Sequence, residues 1–240
     1  RGGPGPPRRA GPPPSLAAPA PQVTHRQAWR AGPRHAEGPG RPRSGREAAV
    51  TAPPPAPQAP GGPVELVLLD AVPPDERGRL LAAALRLRLG PGQEEFVPPA
   101  ADVVAAAHAD PGRHLLVARP PGGDPVALGV LHPGGAPAEV AALLDGVAPD
   151  DVVLFRGFLV DVAAQGGGVG SRVVRDLPGA VAALAALRGR TAPYEALVLT
   201  VNDRNAAGRR AYARAGLHDR GAYLGGSAGP QRVMARALAI

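Results

Sequence analysis

The 240-residue chain has no cysteine and no lysine, and aromatic side chains make up 3 % of it. Without cysteine there are no disulfides, no thiolate nucleophile and no thiolate-held metal. Without lysine there is no P-loop, which needs the Gly-Lys-Ser/Thr end of its phosphate cradle. No run of 18 apolar residues exists, so no membrane-crossing helix is expected. The N-terminus lacks the charged, apolar, small order of a signal peptide, and the expected location is the cytoplasm. His108, His114, His132 and His218 have no metal-ligand spacing, and no metal site is expected.

What the chain has in excess is unevenly spread. Residues 1–62 hold 16 of the 32 prolines and nine arginines against two acids, Glu37 and Glu47. The remainder balances 18 arginines with 18 acids, so the whole formal charge of +7 sits in the first segment. The pI near 11 therefore describes an arm and not a basic domain. Runs such as Pro12-Pro13-Pro14 and Pro53-Pro54-Pro55 forbid helix and favour extended chain. Such a segment buries too little apolar surface to offset its ordering entropy, so residues 1–62 are expected to form a disordered arm. The sole tryptophan, Trp29, lies there between Arg26 and Arg30. Any contact with nucleic acid is confined to this arm.

From Pro63 the pattern changes. Val64–Val72 reads as a strand. Asp75 opens a helix whose Leu80, Leu81, Leu85 and Leu89 recur at helical spacing up to Gly90-Pro91-Gly92. Pro99–His108 reads as a second helix. His114–Pro120 and Pro125–Leu131 read as strands around Gly122-Gly123-Asp124. Pro137–Leu144 reads as a short helix and Asp151–Asp161 as a long apolar strand. A glycine loop, Gly166–Gly170, precedes a helix over Ser171–Arg188 in which Pro178 kinks or divides the run. Then come a strand (Glu195–Val201), a helix (Asn205–Ala215) and two closing strands (Gly216–Leu224, Gln231–Leu238). Strands and helices mix without strict alternation. The predicted class is α+β: a mixed, mostly antiparallel sheet of about seven strands flanked by helices, over residues 63–240.

The chemistry concentrates in Gln165-Gly166-Gly167-Gly168-Val169-Gly170-Ser171, between an apolar strand and a helix. Backbone amides of a glycine turn, with the positive end of the following helix, make a site for a pyrophosphate. The dinucleotide fingerprint fails, because its third glycine would fall on Ser171 or Val173. What fits is Gln-x-x-Gly-x-Gly after a strand.

That motif resembles the GCN5-related N-acetyltransferase superfamily. So do Phe158-Leu159-Val160-Asp161 ahead of the loop and the trio Asn205, Tyr212 and Gly216 behind it, within Leu199–Leu217. The resemblance implies the acyl-CoA N-acyltransferase fold and acetyl-CoA as co-substrate. Phe158, Leu159 and Val160 would pair with the pantetheine arm like an added strand. A backbone N–H there would polarise the thioester carbonyl. Gln165, Gly166, Gly167, Gly168, Val169, Gly170 and Ser171 would hold the pyrophosphate. Asn205 would cap its helix and touch the cofactor, and Tyr212 would protonate the departing thiolate. Bottom-up, a helical side chain leans over residue i−4, which for Tyr212 is Gly208, leaving room for a ligand. Ala207, Ala211 and Ala215 form a small-residue stripe suited to packing on the sheet.

The implied reaction is acetyl transfer to a small-molecule primary amine by direct attack in a ternary complex. Gln93–Val97 and Gly229–Met234 are similar to bacterial branches that include diamine and polyamine acetyltransferases. One departure stands out: Arg156 occupies the place where some polyamine acetyltransferases carry a glutamate. Glu94 and Glu95 fall near the expected substrate loop, and Gln231 reads as a hairpin residue or as part of the acceptor site. Two other readings stay open, a catalytically silent acyl-CoA-binding module and a nucleic-acid-associated protein acting through its basic arm. The sequence is compatible with a homodimer.

Overall fold

The computed structural model describes residues 62–226 and 228–238. The proline-rich segment up to residue 61, with Trp29, lies outside the described residues. Seven strands form one sheet: β1 (Glu65–Leu68), β2 (His114–Arg119), β3 (Ala127–Pro133), β4 (Val152–Val160), β5 (Ala196–Asn202), β6 (His218–Tyr223) and β7 (Gln231–Ala237). Their order across the sheet is β1-β2-β3-β4-β5-β7-β6. Every neighbouring pair is antiparallel except β4 and β5. The helices are α1 (Pro74–Ala84), α2 (Ala100–His108), α3 (Ala138–Ala141), α4 (Val169–Leu187) and α5 (Ala206–Arg214). Class and element order agree with the expectation.

Three apolar clusters hold the layers. The long helix α4 presents Val173, Val174, Leu177, Val181 and Leu184 to one face of the sheet, meeting Leu116, Leu131, Val153, Phe155 and Leu197. On the other face α1 and α2 cover the first strands through Leu80, Val103, Val104, Val117, Leu128 and Leu159. The α3 segment covers the far strands through Val140, Leu144, Val152, Leu154 and Val198. Helix α4 runs unbroken through Pro178. An interior proline costs about 3 kcal/mol, but burying each Val or Leu of that stripe contributes about 1.5–3 kcal/mol, so the stripe wins.

Two elements are shorter than the sequence suggests. Strand β1 stops at Leu68 and turns into a 3-10 helix, Leu69–Ala71. The turn sends Leu69 into the core and brings the Asp70 carboxylate to 2.7 Å from Nδ1 of His114. Helix α1 ends at Ala84, not near Leu89, and Leu85 is exposed. The backbone of Arg88 is engaged elsewhere: its N–H donates to Asp161 and its carbonyl accepts from Val162. Leu87 and Leu89 still pack on the core, but from a non-helical segment lying beside the end of β4.

Candidate active site

The site begins where β4 leaves its neighbour. The parallel pairing of β4 with β5 covers only Val152↔Ala196, Val153↔Leu197 and Leu154↔Val198. Beyond it, β4 stays with β3 as far as Ala127↔Val160, and β5 stays with β7 as far as Asn202↔Gln231. The two strands therefore splay, and among the described residues no strand pairs with residues 155–160 of β4 on their β5 side.

The cause is a bulge. Gly157 and Phe158 together stand opposite Gly129, where the β3–β4 register shifts. Gly157 has φ +59°, which an L side chain disfavours, and a Cβ there would lie 3.0 Å from Cγ1 of Val103 on α2. Gly129 is small for a steric reason, since a Cβ would meet the Phe155 ring. The bulge re-aims the strand, as bulges do. Phe158 and Val160 then pack on the α4 side and Leu159 on the α1–α2 side.

The glycine turn follows directly. Asp161 starts a 3-10 turn (Val162–Ala164) by accepting from Ala163 N–H, and Gln165 leads into Gly166 and Gly168, at φ +79° and +76°. Gly168 is the N-cap of α4 and no side chain caps that helix. Arg172 N–H makes the first helical bond, to the Gly168 carbonyl. The amides of Val169, Gly170 and Ser171 are thus left without helical acceptors. A Cβ at Gly166 or Gly168 would meet nothing within 4 Å, and no acid lies in the first turn. Open space, unclaimed amides and the helix's positive end suit a phosphate-bearing ligand. Gly170 sits against Phe158 and Val160, joining the turn to β4.

Two contacts that sequence reading missed fix this turn. Arg172 donates from Nη2 to the Gly167 carbonyl at 2.7 Å. Gln165 and Gln93 exchange amide hydrogen bonds, at 3.0 and 2.9 Å, and Gln165 also donates to the Val160 carbonyl. The Gln165 side chain is thereby turned toward the segment between α1 and α2. Glu95 of that segment pairs with Arg204 beyond β5 at 3.3 Å.

Asn205 caps α5, accepting from Gly208 N–H at 2.8 Å. This corrects the reading of Gly208. The space above it is filled by the Asn205 carboxamide, which a Cβ would meet at 2.8–3.0 Å, so it is the cap and not a ligand that Gly208 accommodates. The alanine stripe is also narrower than expected, with Ala215 buried and Ala207 exposed. Tyr212 packs against the α4-side core, half-buried. Its hydroxyl makes no hydrogen bond among the described residues, and burial pushes its pKa up to about 12. Arg209 pairs with Asp203 at 3.0 Å, while Arg210 and Arg214 are exposed. A second asparagine, Asn202, is the buried polar side chain of this region. It accepts from Arg204 N–H and donates to the Ala228 carbonyl, tying the end of β5 to the β6–β7 connection.

Two cavities lie away from the glycine turn. One, of about 410 Å³, lies between β1 and α4, and the other, of about 460 Å³, between α5 and β6. Among the described residues no helix is long and apolar enough to cross a membrane.

The splayed sheet with a glycine turn at the head of α4 has the acyl-CoA N-acyltransferase fold, that of the GCN5-related N-acetyltransferases. A crystal structure of the aminoglycoside acetyltransferase AAC(6')-Ib with coenzyme A matches at TM-score 0.50 and 19 % identity, over 73 % of this chain and 95 % of that one. The same enzyme with coenzyme A and kanamycin gives the same TM-score, identity and coverage. A spermidine N-acetyltransferase from Vibrio cholerae, in complex with CoA and spermine, matches at TM-score 0.47 and 10 % identity, over 73 % of this chain and 95 % of that one. No protein-family profile and no curated protein sequence matches the chain.

Proposed function

We propose that residues 63–240 form an acetyl-CoA-dependent N-acetyltransferase that moves an acetyl group to a primary amine by direct attack in a ternary complex. One observation carries the reading: the strand edge freed at Phe155–Val160 lies next to the uncapped amides of Val169, Gly170 and Ser171. An extended thiol arm can pair with the first while its pyrophosphate meets the second. Phe158, Leu159 and Val160 supply the strand edge, and Gly166 to Ser171 supply the anion site. A β4 amide facing the splay polarises the thioester carbonyl, so that the attacking amine meets a more electrophilic carbon. The chain has no cysteine to carry an acyl group, which favours direct transfer.

Tyr212 is the residue assigned to the departing sulfur. Its raised pKa refines that role. A phenol near 12 lies roughly 3.5 above the ordinary thiol value of ~8.5, so complete transfer to a thiolate is uphill. Tyr212 serves as a hydrogen-bond donor that stabilises the sulfur as the C–S bond breaks. Asn205 acts through the cap that orients α5.

The test is thermal denaturation of the full chain with and without acetyl-CoA, followed by release of free CoA thiol with a panel of amines. Ligand at 100 times its Kd stabilises by about 2.7 kcal/mol, a rise in Tm of roughly 5 to 10 °C at this size. The rise should vanish in Gly168→Glu. A folded protein with no rise refutes the proposal. Binding without turnover of any amine supports instead a silent acyl-CoA-binding module.

A further inference from the structure

Arg156 stands where the fold has no structural use for a charge. It lies on central strand β4, on the face that elsewhere along the strand carries Val152, Leu154 and Leu159, all buried. Its cross-strand partner is Val130, also buried. The residue after it is the bulge glycine, and Arg156 itself is exposed, two positions beyond the last β4–β5 pair, Leu154↔Val198. It is on the opposite face from α4 and the glycine turn, since Phe155, Phe158 and Val160 occupy the α4 face.

Among the described residues the Arg156 guanidinium makes no hydrogen bond and no ion pair. The residue is exposed, and partial desolvation of its inner end, with Arg113 acting in the same sense, lowers its pKa. The charged groups around it compensate one another and leave the Arg156 charge without a counter-ion among the described residues. Asp110 lies nearby, but its carboxylate already accepts from Gly112 N–H and pairs with Arg113 at 3.0 Å. His132, 3.7 Å from Asp110, is held toward its neutral form chiefly by burial. Glu95, the acid of the neighbouring segment that is paired across it, is held by Arg204.

A polycationic acceptor would meet an unneutralised cation here, and like charges at short range oppose binding. An amine that also carries a carboxylate would instead supply the missing counter-ion, in the planar fork geometry that arginine favours. We propose that the acceptor is a carboxylate-bearing amine of the amino-acid class, and that Arg156 is the specificity-determining residue that holds its carboxylate. This rests on the N-acetyltransferase reading above.

The experiment compares kcat/KM for L-amino acids, for their matched decarboxylated amines, and for spermidine and kanamycin, with acetyl-CoA affinity measured in parallel by calorimetry. A charge-assisted contact of this kind corresponds to about a 10- to 100-fold preference for the carboxylate-bearing member of a matched pair. Arg156→Gln should erase that preference through KM and leave the acetyl-CoA Kd unchanged. Arg156→Lys should retain part of it, and Arg156→Glu should shift the preference to spermidine. The inference is overturned if the wild type favours spermidine or kanamycin. It is equally overturned if Arg156→Gln keeps the preference, or if acetyl-CoA binds and no carboxylate-bearing amine turns over. Loss of acetyl-CoA binding in the wild type would bring down the enzyme reading itself, a distinguishable result.

Discussion

Two glycines of similar backbone conformation should respond differently to the same added methyl group. Gly157 and Gly168 both have positive φ, at +59° and +76°. Alanine in the left-handed region costs roughly 1–2 kcal/mol at either site. At Gly168 a Cβ meets nothing within 4 Å, so Gly168→Ala should cost only that, a fall in Tm of roughly 2 to 8 °C. At Gly157 the Cβ lies 3.0 Å from Cγ1 and 3.3 Å from Cγ2 of Val103. Overpacking adds about 1 kcal/mol, the lower end of its usual range, because one side chain has to give by a few tenths of an ångström. Gly157→Ala should therefore lose about 2 to 3 kcal/mol and roughly 4 to 12 °C. Urea denaturation of both variants, of Val103→Ala and of the Gly157→Ala/Val103→Ala double variant completes the cycle. The double variant should be more stable than the sum of its parts by about 1 kcal/mol, outside the ~0.3–0.5 kcal/mol scatter of independent sites. Additivity, or equal losses at the two glycines, would refute the claim that α2 presses on the bulge.

Tyr212→Phe should retain acetyl-CoA affinity and lower kcat by about 10- to 100-fold, less than loss of a full general acid, which contributes about 10²–10⁴; a kcat within twofold of wild type removes Tyr212 from the reaction. Because its folded pKa lies above that of a free phenol, the protein's stability from this residue is complete below pH ~10 and is lost as pH rises toward about 12. The Tm of the wild type should accordingly fall more steeply than that of Tyr212→Phe over that window. Asn205→Ala removes the α5 cap and should cost about 1 kcal/mol, with Asn205→Asp recovering most of it; equal stability of Asn205→Ala and wild type by urea denaturation would contradict the capping role.

Much of this molecule is legible in its sequence because the relevant signals are local. The glycine turn stands between an apolar strand and an amphipathic run, and Asn205 is a cap residue in front of a helix, so both positions follow from short windows. What stayed hidden depends on pairs far apart in the chain. The splay of β4 from β5 is a fact about which residues fail to pair. Gly157 reads as one more residue of an apolar strand until its neighbour Val103, 54 positions earlier, is placed against it. The leucines after Ala84 keep helical spacing, yet Arg88 is drawn into backbone pairing with Asp161 and Val162. The Gln93–Gln165 pair joins residues 72 positions apart, and neither glutamine advertises the other. Gly208 is misread for a subtler reason: its smallness serves the side chain three residues before it, not a ligand.

The three register pairs between β4 and β5 are also a mechanical seam. Strands β1 to β4 and strands β5 to β7 are each knitted by longer antiparallel ladders, while the two halves meet along Val152–Leu154, under the span of α4 on one face and under the short α3 segment on the other. Parting the halves would break few backbone hydrogen bonds, whereas unravelling either half would break many. Helix α4, packed on both, acts as the pin of a hinge. In native-state hydrogen exchange the amides of the seam should open at lower free energy than those of the β2–β3 or β5–β7 ladders, and whatever ligand spans the cleft would close that joint by touching both leaves at once.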